Sequence, residues 1–247
     1  MRTSVLSLAC SLALFALSSS VAGAQQGSGQ PHDISGVYSR QIYGADNAKG
    51  ISPRDAKLNP PPSPVPYRPG AADAVAKRLA ALGDDVATCN PSGPFKAMVQ
   101  TPGAAIEIVQ LPGRVFLFID LGHTYRTIWM TDKHDMDHLV PSYMGHSIGR
   151  WEGDTLVVDT VNFNGQIEIT NGFVPSDQLH TVERFRRNGQ NLEYHVSFED
   201  PQFLTAPWVF DRTFGLRADW KNDGEVYCVS NNQVEFLERV DLPSKKR

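Results

Sequence analysis

A glycine–aspartate pair between two runs of strand-forming residues is the feature that most constrains this chain. Gly153 and Asp154 separate residues 146–152 from residues 155–163, and glycine at the first loop position is typical of a type II′ hairpin turn. Side chains alternate along a strand, so a two-residue loop places on one face His146, Ile148, Arg150, Val157, Asp159, Val161 and Phe163. This face therefore combines an imidazole, a guanidinium and a carboxylate with apolar side chains.

The same stretch carries a resemblance to a known family. The run GHSIGRWEGDTLVVDTVNFN resembles the signature of a large, mostly uncharacterised family of secreted bacterial proteins. Further similar segments are FKAMV, AIEIVQLPGRVFLFID, SDQLHTVERFRR, LEYHVSFEDP and VYCVSNN, and the resemblance covers roughly residues 89 to 232. The family has no settled activity, so the resemblance bears on fold and compartment.

The first 24 residues have the pattern of a secretory signal peptide. Arg2 precedes an apolar stretch from Val5 to Leu17, and Ala22-Gly23-Ala24 is a small-residue cleavage site. An apolar stretch of about 13 residues is too short to span a bilayer. We therefore expect a mature chain that begins near Gln25, acts in the periplasm or as a secreted protein, and does not insert into the membrane.

Two cysteines lie outside this leader, Cys89 and Cys228. Cysteines of exported proteins usually pair, and a bridge here would close a loop of about 140 residues, which stabilises a fold by several kcal/mol. The sequence predicts this disulfide, and a catalytic thiol or a metal site remains as an alternative.

Composition and charge exclude several classes of protein. Hydrophobic residues make up 41% and charged residues 20% of the 247, which is typical of a globular protein. The formal net charge is −4, and no basic stripe suggests a nucleic-acid partner. The sequence contains no dinucleotide-binding motif or phosphate loop, so we expect no cofactor. The oligomeric state is left open.

Strand patterns follow one another along the chain. The first predicted strand, Ile34 to Tyr38, resembles the start of lipocalin-type barrels. The later predicted strands are 104–110, 114–120, 125–130, the central hairpin, 166–170, a hairpin about Asn188-Gly189, 208–216 and 225–229. An antiparallel meander of this kind has no exposed edge strands once its first and last strands pair and close it into a barrel. We therefore predict an all-β protein, an antiparallel lipocalin-like barrel of about 8–10 strands.

The region before the barrel differs in composition. Residues 44–70 carry seven prolines and predict an extended segment wrapped on the surface, whereas Ala71 to Leu82 predicts one short helix. The expected organisation is a signal peptide over residues 1–24, an N-terminal segment with that helix over 25–90, and the barrel domain over 91–247.

Two further hairpins each place a carboxylate among apolar side chains. A type I′ turn at Asn188-Gly189 would pair Glu183 with Tyr194 and Phe185 with Leu192, and the Pro112-Gly113 turn puts Glu107 beside Val109, Phe116 and Phe118. A buried carboxylate needs a cation, a proton or hydrogen-bond donors. A structural ion-pair network and a reactive cavity both satisfy that need.

The leading functional hypothesis is a cofactor-independent acid/base enzyme: an isomerase, lyase, hydratase or cyclase that acts on a small apolar or aromatic molecule inside the barrel. His146 and Asp159 would form the acid/base pair, Arg150 would orient the substrate or stabilise negative charge, and Glu183 would be a second acid. The substrate-binding candidates are Glu107, Tyr143, Trp151, Phe163, Tyr194, Trp208 and His180. The alternatives are a non-catalytic carrier of a small hydrophobic ligand and a purely structural module.

One segment has partial metal-ligand spacing. His134 and His138 are four residues apart with Asp137 between them, which suits Zn²⁺ when the residues lie on a helix. This segment lies between a predicted strand and Pro141, so we predict a polar loop and no metal.

Overall fold

The protein is a closed β-barrel. The computed structural model describes residues 32–40, 62–82, 89–100, 104–120, 124–137 and 139–218. Each strand pairs with its neighbours in chain order, and the last pairs with the first. This confirms the predicted all-β barrel of about 8–10 strands. The strands are β1 (Gly36–Ser39), β2 (Ala105–Leu111), β3 (Arg114–Ile119), β4 (Thr124–Trp129), β5 (His146–Glu152), β6 (Thr155–Val161), β7 (His180–Asn188), β8 (Asn191–Glu199) and β9 (Trp208–Leu216).

One strand pair departs from the predicted antiparallel arrangement. Each antiparallel contact reverses the strand direction, and the direction must return to its start after one circuit, so a nine-strand ring needs a parallel contact. That contact joins β4 to β5, where Ile128 lies opposite Ser147 and Trp129 opposite Ile148. The connection between them, residues 130–145, therefore returns the chain so that β5 runs in the direction of β4.

The predicted helix is confirmed as α1 (Ala71–Leu82). Asp73 in its first turn complements the helix dipole, and Val75 is buried. Arg78 donates hydrogen bonds to the carbonyl oxygens of Gly165 and Pro175, at 2.6 and 2.9 Å, and thereby fixes α1 to the loop between β6 and β7. A π-helical turn covers Lys96–Gln100. Within the described ranges, no helix has the length and apolar character to cross a membrane.

The central hairpin has the predicted register. His146 pairs with Val161, Ile148 with Asp159 and Glu152 with Thr155 across β5 and β6. Gly153 has a φ of 57°, a left-handed conformation that suits glycine at the first position of a type II′ loop.

The second hairpin has a different loop from the predicted one. Asn188 pairs with Asn191, so the loop is Gly189-Gln190, and Phe185 lies opposite Tyr194 where Leu192 was expected. The prediction was wrong by two positions because glycine occupies the first loop position, not the second. A shift of two residues leaves every side chain on its face, so Glu183 still shares a face with Tyr194.

One predicted strand has a different structure, and another lies outside the described residues. Residues 166–170 form no strand; instead Ile169 donates from its backbone to Phe173 at 3.0 Å, which makes a compact turn with both side chains buried. The prediction was wrong because alternating apolar residues also suit a loop packed on a core. The predicted strand 225–229 lies outside the described residues, as do the leader and residues 44–61 of the proline-rich segment.

Aromatic rings fill one end of the barrel interior. The Phe95 ring lies 4.8 Å from Phe198, Phe198 lies 5.6 Å from Phe210, and Phe210 lies 4.6 Å from Trp208, measured between ring centroids. All four side chains are buried. Their edge-to-face packing forms a solid hydrophobic core at this end.

A buried ion pair occupies the middle of the interior. Arg126 donates to Glu183 at 2.5 Å, to Thr160 at 2.6 Å and to Ser147 at 2.8 Å. The Tyr194 hydroxyl donates to the second Glu183 oxygen at 2.9 Å. Burial and the negative charge of Glu183 raise the pKa of Tyr194 well above 10.0, so its phenol stays protonated and keeps donating.

This network makes a testable stability prediction. Glu183→Ala leaves the buried Arg126 guanidinium without its counter-charge, so we expect the free energy of unfolding to fall by about 3–5 kcal/mol. Adding Arg126→Met removes the stranded charge and should recover part of that loss. Urea unfolding followed by circular dichroism measures both values, and a Glu183→Ala loss below about 1 kcal/mol contradicts the assignment.

Candidate functional site

A line of ionisable side chains crosses the outer face of four adjacent strands. It runs from His146 on β5 through Asp159 on β6 and His180 on β7 to Glu199 on β8, with His134 from the 130–145 connection. The Asp159 carboxylate is its centre. One oxygen bonds His134 Nε2 and the other bonds His180 Nε2, each at 2.9 Å.

The 130–145 connection is held against the barrel close to this line. Ser142 forms an isolated parallel bridge with Phe163, and its backbone N–H donates to the Asn162 carbonyl at 3.2 Å. Asn164 donates back to the Ser142 carbonyl at 2.9 Å. These contacts fix the end of the connection just before β5, where His134 covers His146.

The two imidazoles at this end are hydrogen-bonded to each other. His134 Nδ1 and His146 Nδ1 are 2.7 Å apart, a hydrogen-bond distance that accommodates one proton between the two nitrogens. One of the two nitrogens therefore donates the hydrogen bond and the other accepts it. The remaining ring nitrogen of His134 bonds Asp159, so the hydrogen bonds fix the orientation of the ring.

The pKa values at the two ends of the line move in opposite directions. Burial lowers the pKa of His146, the charge of His134 lowers it further, and Asp135 offsets part of the shift. Burial also acts to lower the pKa of His180, but the hydrogen bonds and charges of Asp159 and Glu199 outweigh it and hold that pKa above 6.5.

The central carboxylate balances the same two effects. Burial alone would raise the pKa of Asp159, but its hydrogen bonds to His180 and His134 and the charges of these imidazoles hold it below 3.8. Asp159 therefore stays ionised at pH values above 3.8, which include the range in which His180 loses its proton.

His180 also lines a cleft. The cleft has a volume of about 460 Å³, and its walls include Glu199 and the turn between β8 and β9. Its apolar lining consists of Pro201, Leu204, Ala206 and Pro207. His180 thus connects the Asp159 line to a concave, partly apolar surface, the kind of place where small molecules bind.

The predicted reaction chamber inside the barrel is wrong in its position. His146, Arg150 and Asp159 share a face, as expected, but it is the outer one, and only Glu183 of the proposed catalytic set points inward. Both faces of β6 are rich in apolar residues, so alternation shows which side chains share a face without showing which face is inside.

Two of the proposed residues have other partners on the outer surface. Arg150 is exposed and bonds Glu152 at 2.6 Å, with Arg184 on the other carboxylate oxygen at 2.8 Å. These two arginines lower the pKa of Glu152. Glu107 is exposed on the outer face of β2 and lies opposite Phe118, away from the interior in which it was predicted.

The aromatic candidates separate into two groups. Phe163, Tyr194 and Trp208 are buried side chains of the core, with Tyr194 committed to Glu183. Tyr143 and Trp151 are partly buried at its margin, and Tyr143 bonds Gln166 at 3.3 Å. The structure therefore brings His180, Asp159 and His146 into one site and leaves these aromatic residues outside it.

The sequence did not identify His134 and Glu199 as residues of this site, nor Arg126 as the buried partner of Glu183. His134 was noted only for its spacing from His138, which lies outside the described residues, and Asp137 is exposed. Among the described residues, no group of three His, Cys, Asp or Glu side chains is arranged to hold a metal ion. The alternation of β7 and β8 would have paired His180 with Glu199 had the loop been placed correctly.

The described residues include one of the two cysteines of the predicted disulfide. Cys89 is disulfide-bonded. Cys228 lies outside the described residues, so its pairing with Cys89 stays a prediction.

Comparison with known proteins adds little to this geometry. No family model and no curated protein matches the sequence. A solved structure with some similarity is a secretary abundant heat soluble (SAHS) protein from Ramazzottius varieornatus, 12% identical, with 57% of this chain and 85% of that chain covered and a TM-score of 0.25. Membership in the secreted bacterial family stays a prediction, and so does export.

The Asp159–His180 contact makes a prediction about stability and pH. A raised His180 pKa stabilises the fold below 6.5, and a lowered Asp159 pKa stabilises it above 3.8, so their joint contribution is complete between these values. It falls as the pH rises through the folded pKa of His180 or drops through that of Asp159. We expect Asp159→Asn to destabilise the protein most inside this window.

Urea unfolding of the wild type and of Asp159→Asn, at a series of pH values from about 3 to 9, measures this difference. A destabilisation that is constant across the whole series would show that Asp159 contributes by packing and not by its charge.

Proposed function

We propose that this protein is an acid–base enzyme that transfers a proton to or from a small, partly apolar molecule in the cleft beside His180. The observation that supports this most directly is the Asp159 carboxylate, which bonds His134 and His180 at 2.9 Å while His180 lines the cleft. The proposal keeps the reaction class expected from the sequence and moves the site from the barrel interior to its outer face.

His180 is the residue that would touch the substrate. Asp159 and Glu199 outweigh the effect of burial and raise its pKa, which favours the protonated ring of a general acid, and the ring becomes a base once the proton has left. Asp159 is a positioning residue that fixes the ring and stabilises the imidazolium. His146, with its lowered pKa, accepts a proton more weakly, and opposed pKa values of this kind typify acid and base partners.

The shape of the cleft supports a small substrate. A volume of about 460 Å³ is within the range of sites that hold small molecules. Proline and leucine side chains would pack on an apolar body, while Gln178 and Thr205 offer hydrogen bonds. Isomerisation, elimination, hydration and cyclisation all need a proton moved at such a site, and the signal-like leader favours action outside the cytoplasm.

Deuterium exchange tests the proposal without a known substrate. The mature protein would be incubated in D₂O with a panel of small aromatic and aliphatic ketones, and exchange at the carbon beside the carbonyl would be followed by NMR. We expect exchange above the buffer rate for at least one ketone. His180→Gln should lower this rate by about 10²–10⁴, the usual contribution of general acid–base catalysis.

His195 supplies a matched control. Its Nδ1 bonds Asp211 at 2.8 Å, so it is a second outer-face histidine with a carboxylate, and it does not line the cleft beside His180. His195→Gln should leave the exchange rate within about twofold of wild type. The proposal is contradicted by a wild-type rate equal to that of buffer for every ketone, or by equal rates in the two variants.

A non-catalytic carrier of a small hydrophobic ligand remains a second candidate, and one observation favours it. Arg126 Nη1 and Thr181 Oγ1 are buried without a hydrogen-bond partner among the described residues, and Thr160 lies next to both. A guest with an oxygen atom inside the barrel would satisfy them. Native mass spectrometry that finds a retained small molecule, lost in Arg126→Met but kept in His180→Gln, would support the carrier.

A further inference from the structure

The outer face of β2, β3 and β4 carries large exposed apolar side chains. Leu111, Phe118 and Trp129 are 42–43% exposed, and Tyr125 is 63% exposed. The rings adjoin one another across the strands, with Phe118 centred 6.1 Å from Phe116 and 6.4 Å from Tyr125. A contiguous apolar surface of this kind on a soluble barrel typically marks an interaction site.

Strand pairing arranges these side chains in three rows with Phe116 near the centre. Arg114 and Trp129 lie in one end row with Leu111, and Phe118 and Tyr125 lie in the opposite end row with Glu107. The Arg114 guanidinium lies 5.2 Å from the Phe116 ring and 6.0 Å from the Trp129 ring. The stacking holds the cation flat against the apolar surface.

The two charged residues of this face lack ion-pair partners. Neither Arg114 nor Glu107 forms a salt bridge within the described part of the chain, although both are exposed. Four residue steps on β2 separate Glu107 from Leu111, which is opposite Arg114, so the backbone positions of Glu107 and Arg114 are about 13 Å apart along the strands. The face thus has an arginine in one end row, a glutamate in the opposite end row and aromatic rings between them.

We propose that this face binds a second copy of the same chain. A two-fold axis that crosses the strands near Phe116 places the Arg114 row of one copy over the Glu107 row of the other. Arg114 of each copy then lies beside Glu107 of the other, displaced sideways by the spacing between two neighbouring strands, about 4.8 Å. The arginine side chain is long enough to cover this distance. The arrangement forms both missing ion pairs and covers the exposed rings.

The dimer is expected to be weak. Three short strands offer less contact area than the roughly 800 Å² per partner that stable complexes bury, so the association should be reversible and concentration-dependent. Sedimentation velocity of the mature chain between about 5 and 500 µM would reveal it as a rising weight-average mass. A monomer over this whole range overturns the proposal.

Charge exchange tests the pairing directly. Glu107→Arg alone or Arg114→Glu alone places like charges together, and each should raise the dissociation constant at least about tenfold. The double variant Glu107→Arg with Arg114→Glu restores opposite charges and should return the constant to within about threefold of wild type. Single variants that dimerise as wild type does, or a double variant weaker than both, contradict the assignment.

A charge reversal elsewhere supplies the control. Asp154→Arg changes the same charge in the exposed turn between β5 and β6, away from this face, and should leave the dissociation constant unchanged. Circular dichroism confirms that each variant is folded. A dimer that is equally sensitive to Asp154→Arg would mean that net charge, and not the β2–β4 face, controls association.

Discussion

The candidate site depends on one carboxylate that accepts hydrogen bonds from two imidazoles. Asp159 lies on the outer face of β6, where bulk water would otherwise solvate it, and its two oxygens bond His134 and His180 at equal distances. These bonds keep Asp159 ionised, and the charge in turn raises the pKa of His180 at the wall of the cleft. Removing this carboxylate would separate the line of histidines from the cleft.

The topology of the barrel explains why the third histidine can join. Nine strands cannot close in antiparallel order alone, so the chain must return between β4 and β5. That return segment brings His134 over His146, where a hydrogen bond joins two Nδ1 atoms that are 2.7 Å apart. The segment that allows the barrel to close thus also brings His134 into the candidate site on its outer surface.

The sequence predicts which side chains share one face of a strand, but it does not predict whether that face points into the barrel or outward. The Gly153-Asp154 loop correctly set His146, Arg150 and Asp159 together, because alternation follows from backbone geometry. Which face points inward depends on how all nine strands curve together, and apolar residues on both faces of β6 hide the answer. The sequence also could not place His134 in the site, because His134 lies in a connection that has no strand periodicity from which its position could be predicted.

The central claim is that Asp159 sets the protonation of His180 while His146 stays neutral. NMR titration of the histidine ring carbons in the protein measures each pKa separately. The structure predicts a His180 value above 6.5 and a His146 value below it. Two histidines that titrate together, or in the reverse order, would contradict the proposed proton-transfer site.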